Sequence, residues 1–202
     1  MLVLCHSNLV SSLPASSAIS QNRHRYYGKG TESLSLTVQQ TYVVYAIRQD
    51  VTGAWFFVAD DSFSYIGYPF AYPSFFFNLI DGRLSRYWTK PKITEADGQK
   101  TEFRAFKEWV SDRVFYERLI DGSISERDIF CKYKELMDME FPNPMKYRPI
   151  VYIDNDWCQC DACEYVWENH QTDNGMLRCP QCRKVFIDPR WTEPSQQETL
   201  FT

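Results

Sequence analysis

Cys160-Asp-Ala-Cys163 and Cys179-Pro-Gln-Cys182 lie 15 residues apart near the C-terminus. Each Cys-x-x-Cys pair can clamp one edge of a tetrahedral ion, and two pairs complete a four-thiolate site. The interval suits a short hairpin that folds back on itself. The spacing therefore predicts a metal-held module from Asp156 to about Ile187, with Cys160, Cys163, Cys179 and Cys182 as ligands. Four protein ligands leave no open coordination position, so the site is expected to be structural rather than hydrolytic. Each turn also aims backbone N–H groups at the sulfurs and spreads their charge. Cys158 can stand in for Cys160 in a shifted register, because residues 158 and 160 share one face of a strand. The simpler reading is a free thiol beside the site. His170, within the interval, is a weaker candidate because four cysteines already suffice.

Two longer segments carry a family likeness. They are Cys160-Asp-Ala-Cys163-Glu-Tyr-Val-Trp167 and Cys179-Pro-Gln-Cys182-Arg-Lys-Val-Phe186. Together they resemble zinc ribbons and the short rubredoxin-like domains of the rubrerythrin type, over residues 156–187. The resemblance implies zinc as the metal, with iron less favoured, and Trp167 and Phe186 packing beside the site. Rubredoxins carry glycine straight after each knuckle, where this chain has Glu164 and Arg183. Glycine there permits a left-handed turn and a close approach of backbone to sulfur. Its absence weighs against iron more than against zinc. No Glu-x-x-His pair upstream supplies the di-iron bundle that accompanies rubrerythrin.

Outward from the module, Tyr147–Ile153 reads as a strand leading in. The best-marked local structure lies further upstream. Thr41–Ile47 and Ala54–Val58 are dominated by β-branched and aromatic residues, with turn chemistry in Asp50-Val-Thr-Gly53, which predicts a hairpin covered on both faces. Asp60–Pro73 reads as an aromatic loop. Ser74 is expected to cap a short helix over Phe75–Ile80, Leu84–Trp88 to form a strand, and Lys90–Lys100 a loop. A helix is expected from Thr101, because Phe103, Phe106, Val110 and Val114 recur at helical spacing. Asp121-Gly122 ends it. Ser125 with Asp128 then resembles a capping box for a second helix, stopped by Phe141-Pro142. Phe75–Ser85 and Phe115–Ser125 echo each other at a spacing of 40, read as two helices ended by the same Asp-Gly device. The expected architecture is α+β: a disordered leader over 1–37, a mixed domain with an N-terminal β-hairpin and two or three helices over 38–153, a zinc ribbon over 154–190 and a flexible tail over 191–202.

Bulk properties narrow the function. The 202 residues are 44% hydrophobic and 16% aromatic, with net charge -4, so a broad nucleic-acid-binding face is not expected. Seven cysteines, odd in number and clustered, fit a reducing compartment better than a disulfide framework. No stretch is long and apolar enough for a membrane span, and the expected location is cytoplasmic. Of three histidines, His6 and His24 fall in the expected leader. No nucleophile triad or phosphate-cradling glycine loop occurs, and Asp60-Asp61 reads as turn chemistry. Tyr65–Phe77 is expected in the core, and Arg83, Arg86, Trp88, Lys90 and Lys92 as a solvated basic strip. The tail Gln197-Glu-Thr-Leu-Phe201 resembles the pentapeptide with which bacterial proteins dock on the replication sliding clamp. Gln197 would sit at the rim of an apolar pocket, with Leu200 and Phe201 inside it. The favoured function is a non-enzymatic binding or adaptor protein with an unidentified protein partner. A clamp-docking accessory and an iron-bearing electron carrier are the alternatives.

Overall fold

The computed structural model describes residues 1–15, 19, 30–96, 98–143, 148–169 and 176–190. The chain divides into two compact units, residues 1–137 and 138–202.

The first unit is organised on the expected hairpin. It comprises β1 (Leu2–Cys5), β2 (Thr41–Asp50), β3 (Gly53–Val58), a single helical turn α1 (Phe63–Ile66), β4 (Phe70–Pro73), β5 (Phe77–Asp81), β6 (Lys92–Ala96) and β7 (Gln99–Arg104). Three helices follow, α2 (Lys107–Ser111), α3 (Phe115–Ile120) and α4 (Ile124–Glu140), the last of which runs past residue 137, where the first unit ends. The described strands form an antiparallel sheet in the order β4-β3-β2-β1-β5. Ten-residue β2 is long enough to take two partners along one edge. β1 pairs with Thr41–Val43 and β7 with Ile47–Gln49, and β6 continues from β7. Successive side chains of β3 serve opposite faces. Phe57 meets Trp109 of α2 with ring centroids 5.3 Å apart, while Phe56 meets Phe77 at 6.0 Å. Beneath the helices, Tyr45, Phe57, Phe106, Trp109, Phe115 and Phe130 form one buried aromatic cluster.

Several expectations change. The stretch read as a leader contains β1, whose Met1, Leu2, Val3 and Cys5 are buried. It lies between β2 and β5, and its apolar run is too short to show a period. Phe75–Ile80 is not a helix: a 3₁₀ turn at Ser74–Phe76 leads into β5, which pairs with β1. Leu84–Trp88 contributes one bridge, Trp88 to Phe106, in place of a strand. The Lys90–Lys100 loop is instead largely the β6–β7 hairpin, turning at Gly98 with φ +73°. The helix expected from Thr101 is strand β7 followed by two short helices. They part where the Asp112 carboxylate accepts the Val114 N–H at 3.0 Å. The 40-residue echo accordingly joins a strand to a helix. Of the two Asp-Gly stops, the second behaves as read. Gly122 has φ +85°, its N–H bonds Leu119 O and the Ser123 N–H bonds Arg118 O, a left-handed helix end. The capping pair for α4 is Ser123 with Glu126, two residues before the pair expected.

The second unit holds β8 (Val151–Tyr152), β9 (Trp157–Gln159), β10 (Val166–Glu168), β11 (Met176–Arg178) and β12 (Val185–Ile187). These make a three-stranded sheet β10-β9-β8 and a two-stranded β11-β12. The division after residue 137 precedes the expected boundary at 153/154. Helices and antiparallel sheets together are compatible with the expected α+β class. Among the described residues no helix is long and apolar enough to cross a membrane.

Candidate metal centre

The two cysteine pairs sit on two copies of one local structure, 19 residues apart. β9–β10 pairs Trp157 with Glu168, Cys158 with Trp167 and Gln159 with Val166. β11–β12 pairs Met176 with Ile187, Leu177 with Phe186 and Arg178 with Val185. Adding 19 to any residue of the first hairpin gives its counterpart in the second. The turns match too. The Cys160 N–H bonds Tyr165 O and the Glu164 N–H bonds Cys160 O, both at 2.9 Å. In the second turn the Cys179 N–H bonds Lys184 O at 2.9 Å and the Arg183 N–H bonds Cys179 O at 3.0 Å. Closing each turn this way requires a left-handed residue after the second cysteine. Glu164 (φ 58°) and Arg183 (φ 67°) adopt that conformation. The positions where rubredoxins carry glycine thus keep glycine's backbone shape here without its side-chain-free ease.

Facing each other, the turns bring all four sulfurs within 4.8 Å of one another. Cys160 Sγ lies 3.6 Å from Cys182 Sγ, and Cys163 Sγ lies 3.6 Å from Cys179 Sγ. A tetrahedron with metal–sulfur bonds of about 2.3 Å has edges of about 3.8 Å, so the cage already has the size of a four-thiolate site. The Ala162 N–H also reaches Cys160 Sγ at 3.4 Å. Electrostatics point the same way. Tyr165's backbone favours the Cys163 thiolate, but burial and the three neighbouring sulfurs prevail and push this thiol up to about 12. At Cys179 burial is outweighed by the Cys182 and Gln181 N–H groups, and its thiol falls to about 7. Four sulfurs this close cannot all ionise without a cation among them.

The surroundings are apolar, with Ile150, Leu177 and Phe186 buried around the cage and Tyr152 and Trp167 half-buried against them. The two hairpins are tied by Ile150 and Arg148, whose backbones bond Ile187 on β12. Lys184 Nζ, on the second turn, pairs with Asp161 Oδ1 on the first at 2.7 Å. Tyr152, Asn169 and Asp188 form a hydrogen-bonded group beside this core.

The internal register also places Cys158. It occupies the position of Leu177, opposite Trp167 where Leu177 is opposite Phe186. It is fully buried, and burial raises its thiol. Cys158 is a core residue and stands outside the group of four. In the sequence, the equivalence of Trp157–Gln159 with Met176–Arg178 is marked only by the 19-residue offset of residues around them, such as the paired valines, Val166 and Val185, and no residue shared between the two strands reveals it.

Other candidates are dispersed. His6 lies 2.6 Å from Phe75 O. Among the described residues, Cys160, Cys163, Cys179 and Cys182 make the one cluster suited to an ion. Asp60 is buried and accepts from the Ser62 N–H and the Ser62 and Tyr72 hydroxyls, and Asp61 accepts from Tyr42 and Thr37. They are bracing acceptors as well as turn residues. Within Tyr65–Phe77, Tyr72, Phe76 and Phe77 are buried, whereas Tyr65 is exposed. The basic strip is split: Arg83 pairs with Asp81, and Trp88 donates to Tyr45 O at 3.0 Å. His24, His170 and the clamp-like tail with Gln197, Leu200 and Phe201 lie outside the described residues. No protein-family model, curated protein or solved structure matches the chain.

Proposed function

We propose that Cys160, Cys163, Cys179 and Cys182 hold one zinc ion in a zinc ribbon, and that the protein is a non-enzymatic binding or adaptor protein. The observation that carries this is the pair of register-matched turns with 3.6 Å sulfur contacts between them. Bound zinc would neutralise the sulfur cage and cross-link the two hairpins, a contribution on the order of 10 kcal/mol in isolated modules. With four protein ligands it has no position left for water, which favours a structural role. The adaptor reading is supported by one face of the three-stranded sheet. Val151, Ile153, Trp157 and Val166 are exposed there, more apolar surface than so small a sheet needs for folding.

Metal analysis of the reduced protein tests the site. One equivalent of zinc is expected in the wild type and in Cys158→Ala, and loss of it in Cys160→Ser and Cys179→Ser. A red, reducible protein replaces zinc by iron and turns the function towards electron transfer. Metal-free wild-type protein removes the proposal. The adaptor role is tested by affinity capture with Trp157→Asp. A partner held by the wild type and lost by this variant at unchanged zinc content supports it, and identical capture by both forms counts against it.

A further inference from the structure

The first unit contains a cleft of about 510 Å³ between the exposed end of the sheet and the α2–α3 corner. Its construction follows from strand register. Arg48 on β2 is opposite Phe103 on β7, which is opposite Lys92 on β6. The three side chains therefore form one row on one sheet face. Across from them stand Trp109 of α2, Arg113 of the α2–α3 connection and Tyr116 of α3. The floor is aromatic: Phe103 and Trp109 have ring centroids 5.6 Å apart, and Trp109 and Tyr116 stack at 5.4 Å.

The rim is cationic in a chain of net charge -4. Arg48 lies over Trp55, reaches Asp50 through Nε at 3.1 Å and is one of the residues that line the cleft. Lys92 makes one long bond, 3.4 Å, to Val110 O. Arg113 is exposed and has no partner among the described residues. Of the two acids at the rim, Asp112 is already committed to Arg118 and to the Val114 N–H. Glu95 remains as an exposed acceptor. Ligand sites of this size combine an apolar wall with a few convergent polar groups, and guanidinium groups recognise carboxylates and phosphates by paired hydrogen bonds.

We propose that this cleft binds a small planar aromatic anion of about mononucleotide size, its ring against Phe103 and Tyr116, which the buried Trp109 backs, and its anionic group among Arg48, Lys92 and Arg113. This site is separate from the cysteine cage and does not depend on the metal reading. The anion is a phosphate or a carboxylate, and the probes distinguish the two.

Calorimetric titration of the full chain uses the four nucleoside monophosphates, 2-naphthoate, adenosine and inorganic phosphate. Binding of a nucleotide or of naphthoate is expected, with adenosine and phosphate each at least about tenfold weaker, because ring and charge are both needed. Binding confined to nucleotides identifies a phosphate ligand, and binding confined to naphthoate a carboxylate. Arg113→Ala and Lys92→Ala should each weaken binding about tenfold, while Lys100→Ala, on the same hairpin but outside the cleft, should not. Added salt should weaken wild-type binding, a measurement independent of any variant. Absence of binding by every probe up to millimolar concentration overturns the proposal. So does phosphate binding as tightly as a nucleotide, or affinity unchanged in both variants.

Discussion

Glu164 and Arg183 hold left-handed backbone conformations at the end of each cysteine turn, where an L side chain crowds its own carbonyl at about 1–2 kcal/mol. The hydrogen bonds that close the turns require that conformation. Replacing either residue by glycine relieves the strain while loosening the unfolded chain, so a net gain of about 0.5–1 kcal/mol is expected for Glu164→Gly and Arg183→Gly. Denaturation of the metal-loaded protein measures it. A loss of stability in both variants would contradict the strain argument. Cys158 shows the same logic from the core side. Spacing alone allowed it to be a ligand or a bystander, and only its register against Trp167 identifies it as the partner position of Leu177.

At the scale of elements, α4 begins with a compact charged cap. Ser123 bonds the Glu126 carboxylate, and Arg118 Nε bonds it at 2.7 Å from the end of α3. Ser123→Ala is expected to cost about 1 kcal/mol, read from the denaturant midpoint. The Ser123 hydroxyl first, and Arg118 second, hold the Glu126 carboxyl below its ordinary value of 4.5. A depressed folded value means that the unfolded chain takes up the proton first. The stabilisation is therefore complete above about pH 4.5 and declines as pH falls through the lower folded value. Glu126→Gln should be less stable than wild type at pH 7, with a narrower gap at pH 3. Urea midpoints at the two pH values decide this. A gap that stays constant would show that the carboxylate charge contributes nothing.

The first unit is expected to depend on β1 for its cooperative fold. Val3 is fully buried in β1, between β2 and β5. Val3→Ala should cost about 2 kcal/mol, and removal of residues 1–6 should abolish the cooperative melt of this unit. A truncated protein that melts like wild type would refute that dependence. The second unit has a small core around four sulfurs. Chelation is expected to release hydrogen-exchange protection at amides within 148–190 while those of β2 and β3 keep theirs. Protection unchanged in both units would contradict a metal-dependent fold.

The sequence by itself determined the β2–β3 hairpin, because both strands are long runs of β-branched and aromatic residues around an Asp-Val-Thr-Gly turn. It also determined the cysteine knuckles, because ligand spacing is a local property of the chain. Helix α4 and its proline stop were legible for the same reason. Tertiary structure alone decided β1, β5 and the β6–β7 hairpin, short or polar segments whose state is set by distant partners. Phe103 and Phe106 show why. Their three-residue spacing suits a helix, yet Phe103 pairs with Arg48 in the sheet and Phe106 bridges to Trp88. Pairing across such separations creates the cleft of Arg48, Lys92 and Arg113 and the core position of Cys158, and no periodicity within one segment encodes a neighbour that far along the chain.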